Sequence, residues 1–245
     1  MSTIIDWLRE MFAPGPPPQT TPRRAAPPVA AAAPLRGLII DIASDPTPRL
    51  TQLKAANVGG IFSYLSSINP NGAKCWTPAR AQACAAAGLR IGLVHEGWGG
   101  AGGRGISALD GQRDGKYCRS RAPQLGAPKG TCVYFACDTD FTAQQIAAQV
   151  APYFQQIRET FADGFYRVGV YGSGAVCSAL KAAKLVDLTW LAQSKGWSGY
   201  QTWLAEADIV QGAETRIAGL DVDTDMAKGD IGDFVPSLTA GVPVA

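Results

Sequence analysis

The segment Val133-Tyr134-Phe135-Ala136-Cys137-Asp138-Thr139-Asp140-Phe141 is an apolar β-type run that stops in two carboxylates. Acids at i and i+2 on a strand point to one side, because side chains alternate with period two. In a closed parallel barrel, acids at the C-terminal end of a strand stand at the mouth, where barrel enzymes do their chemistry. Three other strand-like runs end in acids: Ile40-Asp41-Ile42, Val94-His95-Glu96-Gly97-Trp98 and Leu220-Asp221-Val222-Asp223-Thr224-Asp225. Tyr64, Tyr171, Gln193 and Gln211 fall at or near the ends of four more. This inventory suits a carbohydrate, since sugar rings lie on aromatic faces and Asp or Gln side chains bond to hydroxyls. Glycosidic cleavage takes one acid to protonate the leaving oxygen and a second negative group to stabilise or attack the sugar carbon. Crowded carboxylates push one another's pKa values apart, so one can hold a proton near neutrality. Asp41, Asp138, Asp140 and Asp221 are the leading acids, with Trp98 a further sugar contact; Asp223 and Asp225 read as solvated or helix-capping.

Elements that would position these residues alternate from Gly37 onward. Strand-like runs cover Leu38–Ile42, Val58–Leu65, Leu89–Val94, Thr131–Cys137 and Arg167–Tyr171, then Leu188–Ala192, Ala207–Val210 and Arg216–Val222. Helical patterns lie between them at Thr47–Ala56, Thr77–Ala87, Leu109–Gln124, Thr142–Phe161 (capped by Thr142) and Ala175–Ala183. Eight strands separated by helices or loops predict an α/β protein, a (β/α)8 TIM-type barrel that is irregular in its last third.

The 245 residues, 47% hydrophobic and 17% charged, suffice for a large core. Residues 1–36 hold the whole net charge of +2, and the remainder balances 18 basic against 18 acidic side chains. A neutral body argues against nucleic acid as a partner. No apolar run reaches the roughly 18 residues a membrane helix needs, and the start lacks the pattern of a secretory signal. Ser2–Phe12 has the spacing of a short amphipathic helix, a candidate anchor for a virion or for sister subunits. Residues 13–34, with eight prolines and seven alanines, form a semi-extended linker. The expected division is an anchor at 1–12, a linker at 13–36, a barrel at 37–236 and a tail at 237–245. Six cysteines without a CxxC pair, and the single His95, argue against a zinc site. Reduced, buried thiols are expected, with Cys75–Cys84 and Cys118–Cys132 the pairings left open. A Cys84/His95 nucleophile pair and a cation held by Asp221, Asp223 and Asp225 are the weaker chemistries. The glycine-rich run Gly97–Gly105 lacks the Gly-Lys-Ser/Thr ending of a phosphate loop and reads as a lid or substrate loop. No metal and no cofactor is expected.

The ordered set GLIIDIAS, VYFACDTDF, RVGVYGS, TWLAQSKGWSGY and IAGLDVDTD, over about residues 37–235, resembles the bacterial and phage glycoside-hydrolase-like domains distantly related to the family 25 lysozymes. The resemblance implies a TIM-type barrel acting on peptidoglycan or another glycan; the missing signal pattern and the anchor-plus-linker arm fit a phage-encoded, virion-associated protein that works at the cell wall. In those lysozymes the fourth strand ends Asp-x-Glu, with the Glu as proton donor. That implies an acid role for Asp140, a stabilising role for Asp138, equivalents of the first- and last-strand acids at Asp41 and Asp221, and sugar contacts at Tyr64 and Tyr171. An Asp at 140 is one methylene shorter, about 1.5 Å short of such a target, and a displacement of about 1 Å costs on the order of a hundredfold in rate. Glu96 is then the substitute acid. Otherwise the domain grips glycan without cutting it, as a decoration or tail protein of a virion.

Overall fold

Runs such as Ile39-Ile40 and Val133-Tyr134-Phe135 are β-branched or aromatic and apolar on both faces, the composition of strands covered on both sides. A computed structural model describes residues 37–67, 69–97 and 106–237. In it these runs close into one eight-stranded barrel in sequence order. The strands are β1 (Leu38–Asp41), β2 (Val58–Leu65), β3 (Arg90–His95), β4 (Cys132–Ala136), β5 (Arg167–Gly172), β6 (Leu188–Leu191), β7 (Ile209–Ile217) and β8 (Leu220–Ala227). Helices α1 (Leu50–Ala55), α2 (Pro78–Ala86), α3 (Ala108–Arg121), α4 (Ala151–Thr160) and α5 (Gly174–Ala182) link the first six strands, and the single turn α6 (Tyr200–Trp203) precedes β7. Thr142 caps a helical run as its sequence predicts, in a reciprocal box with Gln145. That run passes through a π turn, Ile146–Val150, just before Pro152, whose ring cannot donate to the helical ladder.

The regular (β/α)8 arrangement does not hold at the end of the chain. Strands β1 to β7 run parallel, but β8 is antiparallel to both β7 and β1 and closes the ring. No helix separates β7 from β8. Ala218 and Gly219 both take positive φ (54° and 82°), the geometry of a tight two-residue hairpin that matches strand twist. The predicted eighth strand, Arg216–Val222, therefore straddles this turn.

Two apolar layers hold the barrel. Outside, the helices cover Ile40, Ile61, Leu93, Phe135 and Val170. Inside, Phe62, Tyr134 and Trp190 meet edge to face, with centroids 5.1–5.8 Å apart. The chain after β8 closes the far end. The Tyr134 hydroxyl donates to the Ile231 carbonyl at 2.9 Å, Phe234 bridges to Ile91, and Arg90 pairs with Asp233. All six cysteines are free and buried, so neither candidate disulfide is present.

The aromatic plug fits because glycines face it. A Cβ at Gly92 would stand 2.2 Å from the Phe62 ring, and one at Gly169 2.5 Å from Tyr134. Gly92→Ala is expected to lower stability by about 1–3 kcal/mol through overpacking. The measurement is the urea midpoint at constant m-value; an unchanged midpoint would mean the ring has room to move.

Candidate active site

One step beyond the buried aromatic layer, the period-two alternation of the strands delivers the next inward side chains to the mouth. Ile39 leads to Asp41, Phe62 to Tyr64, Val94 to Glu96, Tyr134 through Ala136 to Asp138, and Ile209 to Gln211. Together with Tyr171, Gln193 and Asp223 these line a cleft of about 290 Å³ floored by Phe62 and Trp190. The plug thus lies beneath the cleft and leaves it open.

Gln211 organises one wall. Its Oε1 accepts from the Tyr171 hydroxyl at 2.9 Å and from the Gln193 backbone N–H at 3.2 Å. A backbone N–H can only donate, so the amide oxygen must face it and the NH2 must face the acids. Nε2 donates to Asp41 Oδ2 at 3.0 Å and to Asp223 Oδ2 at 3.2 Å. Gln193 Nε2 adds a donor to Asp223 Oδ1 at 3.3 Å. Burial pushes the Asp41 carboxyl up to about 7; the Gln211 bond pulls it down, the Asp223 charge pushes it up, and a bond from Asp225 pulls it down again. Burial and then Glu214 raise Asp223.

Asp138 stands apart from that network. Among the described residues it has no hydrogen-bond partner, and burial followed by the nearby Glu96 charge raises its carboxyl above the usual range. Glu96 is ion-paired with Lys74 at 2.5 Å, and the same ammonium lies 4.3 Å from the centroid of the Tyr64 ring.

Two expected acids are not in the cleft. β4 ends at Ala136, and successive i→i−2 hydrogen bonds, Thr139 to Cys137 and Phe141 to Thr139, turn the backbone and break the alternation that would have aligned Asp140 with Asp138. Asp140 instead accepts from the Ser198 N–H and hydroxyl, both at 3.0 Å, and holds the loop before α6. Asp221 fails for a different reason. Because β8 runs antiparallel, its first residues project beyond the mouth. Asp221 is 72% exposed and faces Arg216 across the hairpin. The last-strand acid in the cleft is Asp223, opposite Asp41 in the ladder, and Asp225 lies buried below it. Neither is the solvated or helix-capping residue that its sequence position suggests. The descending 221-223-225 alternation was visible in the sequence, but using it required knowing that Ala218-Gly219 reverses the chain. Trp98 lies outside the described residues, as do 98–105 of the glycine-rich run, residues 1–36 and 238–245 of the tail.

His95 is not paired with Cys84; the thiol beside it is that of Cys118. His95 points outward beneath α3, where Nδ1 contacts the Leu65 carbonyl at 2.9 Å and Nε2 lies 3.3 Å from Asp114 Oδ2 in an ion-pair contact. Asp114 also accepts from Tyr153 and Arg113, at 3.0 Å each. Burial pushes the Cys84 thiol up to about 12, which leaves it no nucleophilic character near neutrality. Among the described residues no group of three or more His, Cys, Asp or Glu side chains is arranged to hold a metal. None of the described helices is long and apolar enough to cross a membrane.

The model of the Rv2525c-like, glycoside hydrolase-like domain matches residues 51–227. YbfG of Bacillus subtilis (strain 168) is 35% identical over 97 residues, which is 36% of this chain and 13% of YbfG. The chain spans less than a third of the length of the curated relatives it matches. The crystal structure of the Mycobacterium tuberculosis Tat-secreted protein Rv2525c in complex with L-tartrate superposes with a TM-score of 0.68 at 19% identity, covering 80% of this chain and 98% of that one. The spore cortex lytic enzyme SleM of Clostridium perfringens does so with a TM-score of 0.53 at 13% identity, covering 82% and 70%. At these identities the two structures speak for the fold.

Gln211→Met removes both amide donors at similar size. The Asp41 titration midpoint is expected to rise above about 7, because the lost bond favours the charged form. Carbon-detected NMR titration of the Asp carboxyls measures it; a midpoint that stays put or falls contradicts the hub role.

Proposed function

This chain belongs to the family of Rv2525c-like, glycoside hydrolase-like domains, and from that premise we propose that it cleaves a glycosidic bond in cell-wall peptidoglycan or a closely related glycan. The observation that carries the reading is the delivery of Asp41, Glu96, Asp138 and Asp223 from four strands to one sugar-sized cleft that also presents Tyr64 and Tyr171. The likeness in fold to a spore cortex lytic enzyme supports the choice of substrate class.

Asp41 and Asp138 are the working pair, one at the end of β1 and the other two residues past the end of β4, with two strands between them. Below about pH 7 Asp41 holds a proton, which it gives to the glycosidic oxygen as the bond to the sugar carbon breaks. Asp138, which has no hydrogen-bond partner among the described residues and faces the cleft, supplies the negative charge that stabilises the oxocarbenium-like carbon. The Gln211 amide then stabilises the Asp41 carboxylate that remains. Water then attacks the sugar carbon and gives its proton to the Asp41 carboxylate, which restores the starting acid.

The test is loss of turbidity and release of new reducing ends from isolated peptidoglycan. Asp138→Asn and Asp41→Asn should each lower the rate by about 100- to 10,000-fold. Asp140→Asn should change it by only a few-fold, since that carboxylate is taken up by Ser198. Activity should fall as pH rises through about 7, where Asp41 loses its proton. Equal clearing by wild type and Asp138→Asn removes the assignment.

One observation favours a second reading, glycan binding without cleavage. The position that resembles the lysozyme proton donor, Asp140, is turned to Ser198 instead of the cleft. Stoichiometric sedimentation with peptidoglycan and no reducing ends would select it. The attachment of Ser2–Phe12 to a virion or to sister subunits is a separate proposal: deleting residues 1–34 should abolish co-sedimentation with phage particles and leave the barrel folded.

A further inference from the structure

Asp225 is 8% exposed and sits under the cleft floor, where the proposed reaction gives it no part. Its Oδ1 accepts from the Trp190 indole N–H at 2.9 Å. An indole N–H can only donate, so Oδ1 is the acceptor oxygen. Oδ2 is buried and meets no hydrogen-bond donor among the described residues. A carboxylate there would be a buried charge half unsolvated, with no counter-cation among the described residues, a costly state. The titratable groups that face it are also acids: Asp41 from β1 and Asp223 from its own strand.

The ladder fixes the relation of Asp225 to Asp41. In the antiparallel pairing Asp41 lies opposite Asp223 and Ile39 opposite Asp225. Asp41 and Asp225 are therefore diagonal neighbours on the inner face, about 7–8 Å apart, a gap that two carboxyl side chains close only when they point at each other. We propose that Asp225 is a carboxylic acid that keeps its proton and donates it from Oδ2 to the carboxylate of Asp41. It acts as a positioning residue for the acid at the mouth. Burial first, then the Asp41 charge, hold the Asp225 carboxyl far above the usual range, which agrees with this arrangement.

The consequence for Asp41 is a second donor beside Gln211. Burial alone would leave Asp41 reluctant to release a proton; two donors aimed at its carboxylate bring release back toward neutrality. The purpose assigned to the pair rests on the glycosidase reading, but the proton's location does not.

Carbon-detected NMR titration of the full chain without glycan tests it, using wild type, Asp225→Asn and Asp225→Val. In wild type, the Asp225 carboxyl carbon should keep the shift of a protonated acid from about pH 5 to about pH 9, while an unperturbed Asp titrates near 3.9; a carboxylate shift overturns the proposal. Asn places a carbonyl toward Trp190 and an NH2 toward Asp41 without changing the charge. The Asp41 midpoint should therefore stay within a few tenths of wild type. A fall of one pH unit or more would mean that a negative charge had been removed, and the proposal fails. Val offers no donor, so the acid dissociation constant of Asp41 should weaken about tenfold; no weakening means the bond is absent. Should the Val variant not fold, the wild-type shift and the Asn variant decide. If the protein cleaves no glycan while these titrations behave as stated, the glycosidase reading fails and the proton-sharing pair stands.

Discussion

A single side-chain amide ties the mouth of this barrel together. Gln211 makes four hydrogen bonds, two accepted and two donated, and they reach β5, the segment after β6, β1 and β8. Asp41 and Asp223 come from residues far apart in sequence and would repel each other if left to themselves. The amide gives both a donor and fixes their separation. Its own orientation is not free, because the Gln193 N–H and the Tyr171 hydroxyl meet its oxygen. The electrostatics of the cleft follow from that arrangement, with a supported cluster on one side and an unsupported Asp138 on the other.

The hub exists because of how the ring closes. A parallel β8 would have carried its early residues toward the bottom of the barrel and its late ones to the mouth. Running antiparallel, β8 places Asp223 at the mouth beside Asp41 and sends Asp225 down toward Trp190. It also lets β7 and β8 rise together past the rim as a hairpin, which carries Asp221 out of the cleft. A closed sheet with no exposed edge results, although the last two strands lack the helical crossover that joins earlier ones.

Much of this was legible from residue order. The first six strands and their helices follow from apolar runs bounded by Gly, Pro and capping residues, and Asp41, Glu96, Asp138, Tyr64, Tyr171, Gln193 and Gln211 follow from being at strand ends. What failed did so where a local backbone event overrides period-two counting. The tight turns at Thr139 and Phe141 rotate Asp140 away. The Ala218-Gly219 turn reverses the direction in which the last strand must be counted, so counting along the sequence points to Asp221 where Asp223 stands. Ala at a left-handed position is a weak turn signal, since Asn or Gly is the usual choice there. The coupling of Asp225 to Asp41 was out of reach altogether, because it depends on which strands are neighbours.

The closed far end of the barrel has a consequence for any polymer that meets this molecule. Tyr134, Ile231 and the returning chain seal the lumen, so the hollow is a cul-de-sac. A polymer reaches the acids of the cleft only through the mouth, between the strand ends, and cannot pass on through the barrel.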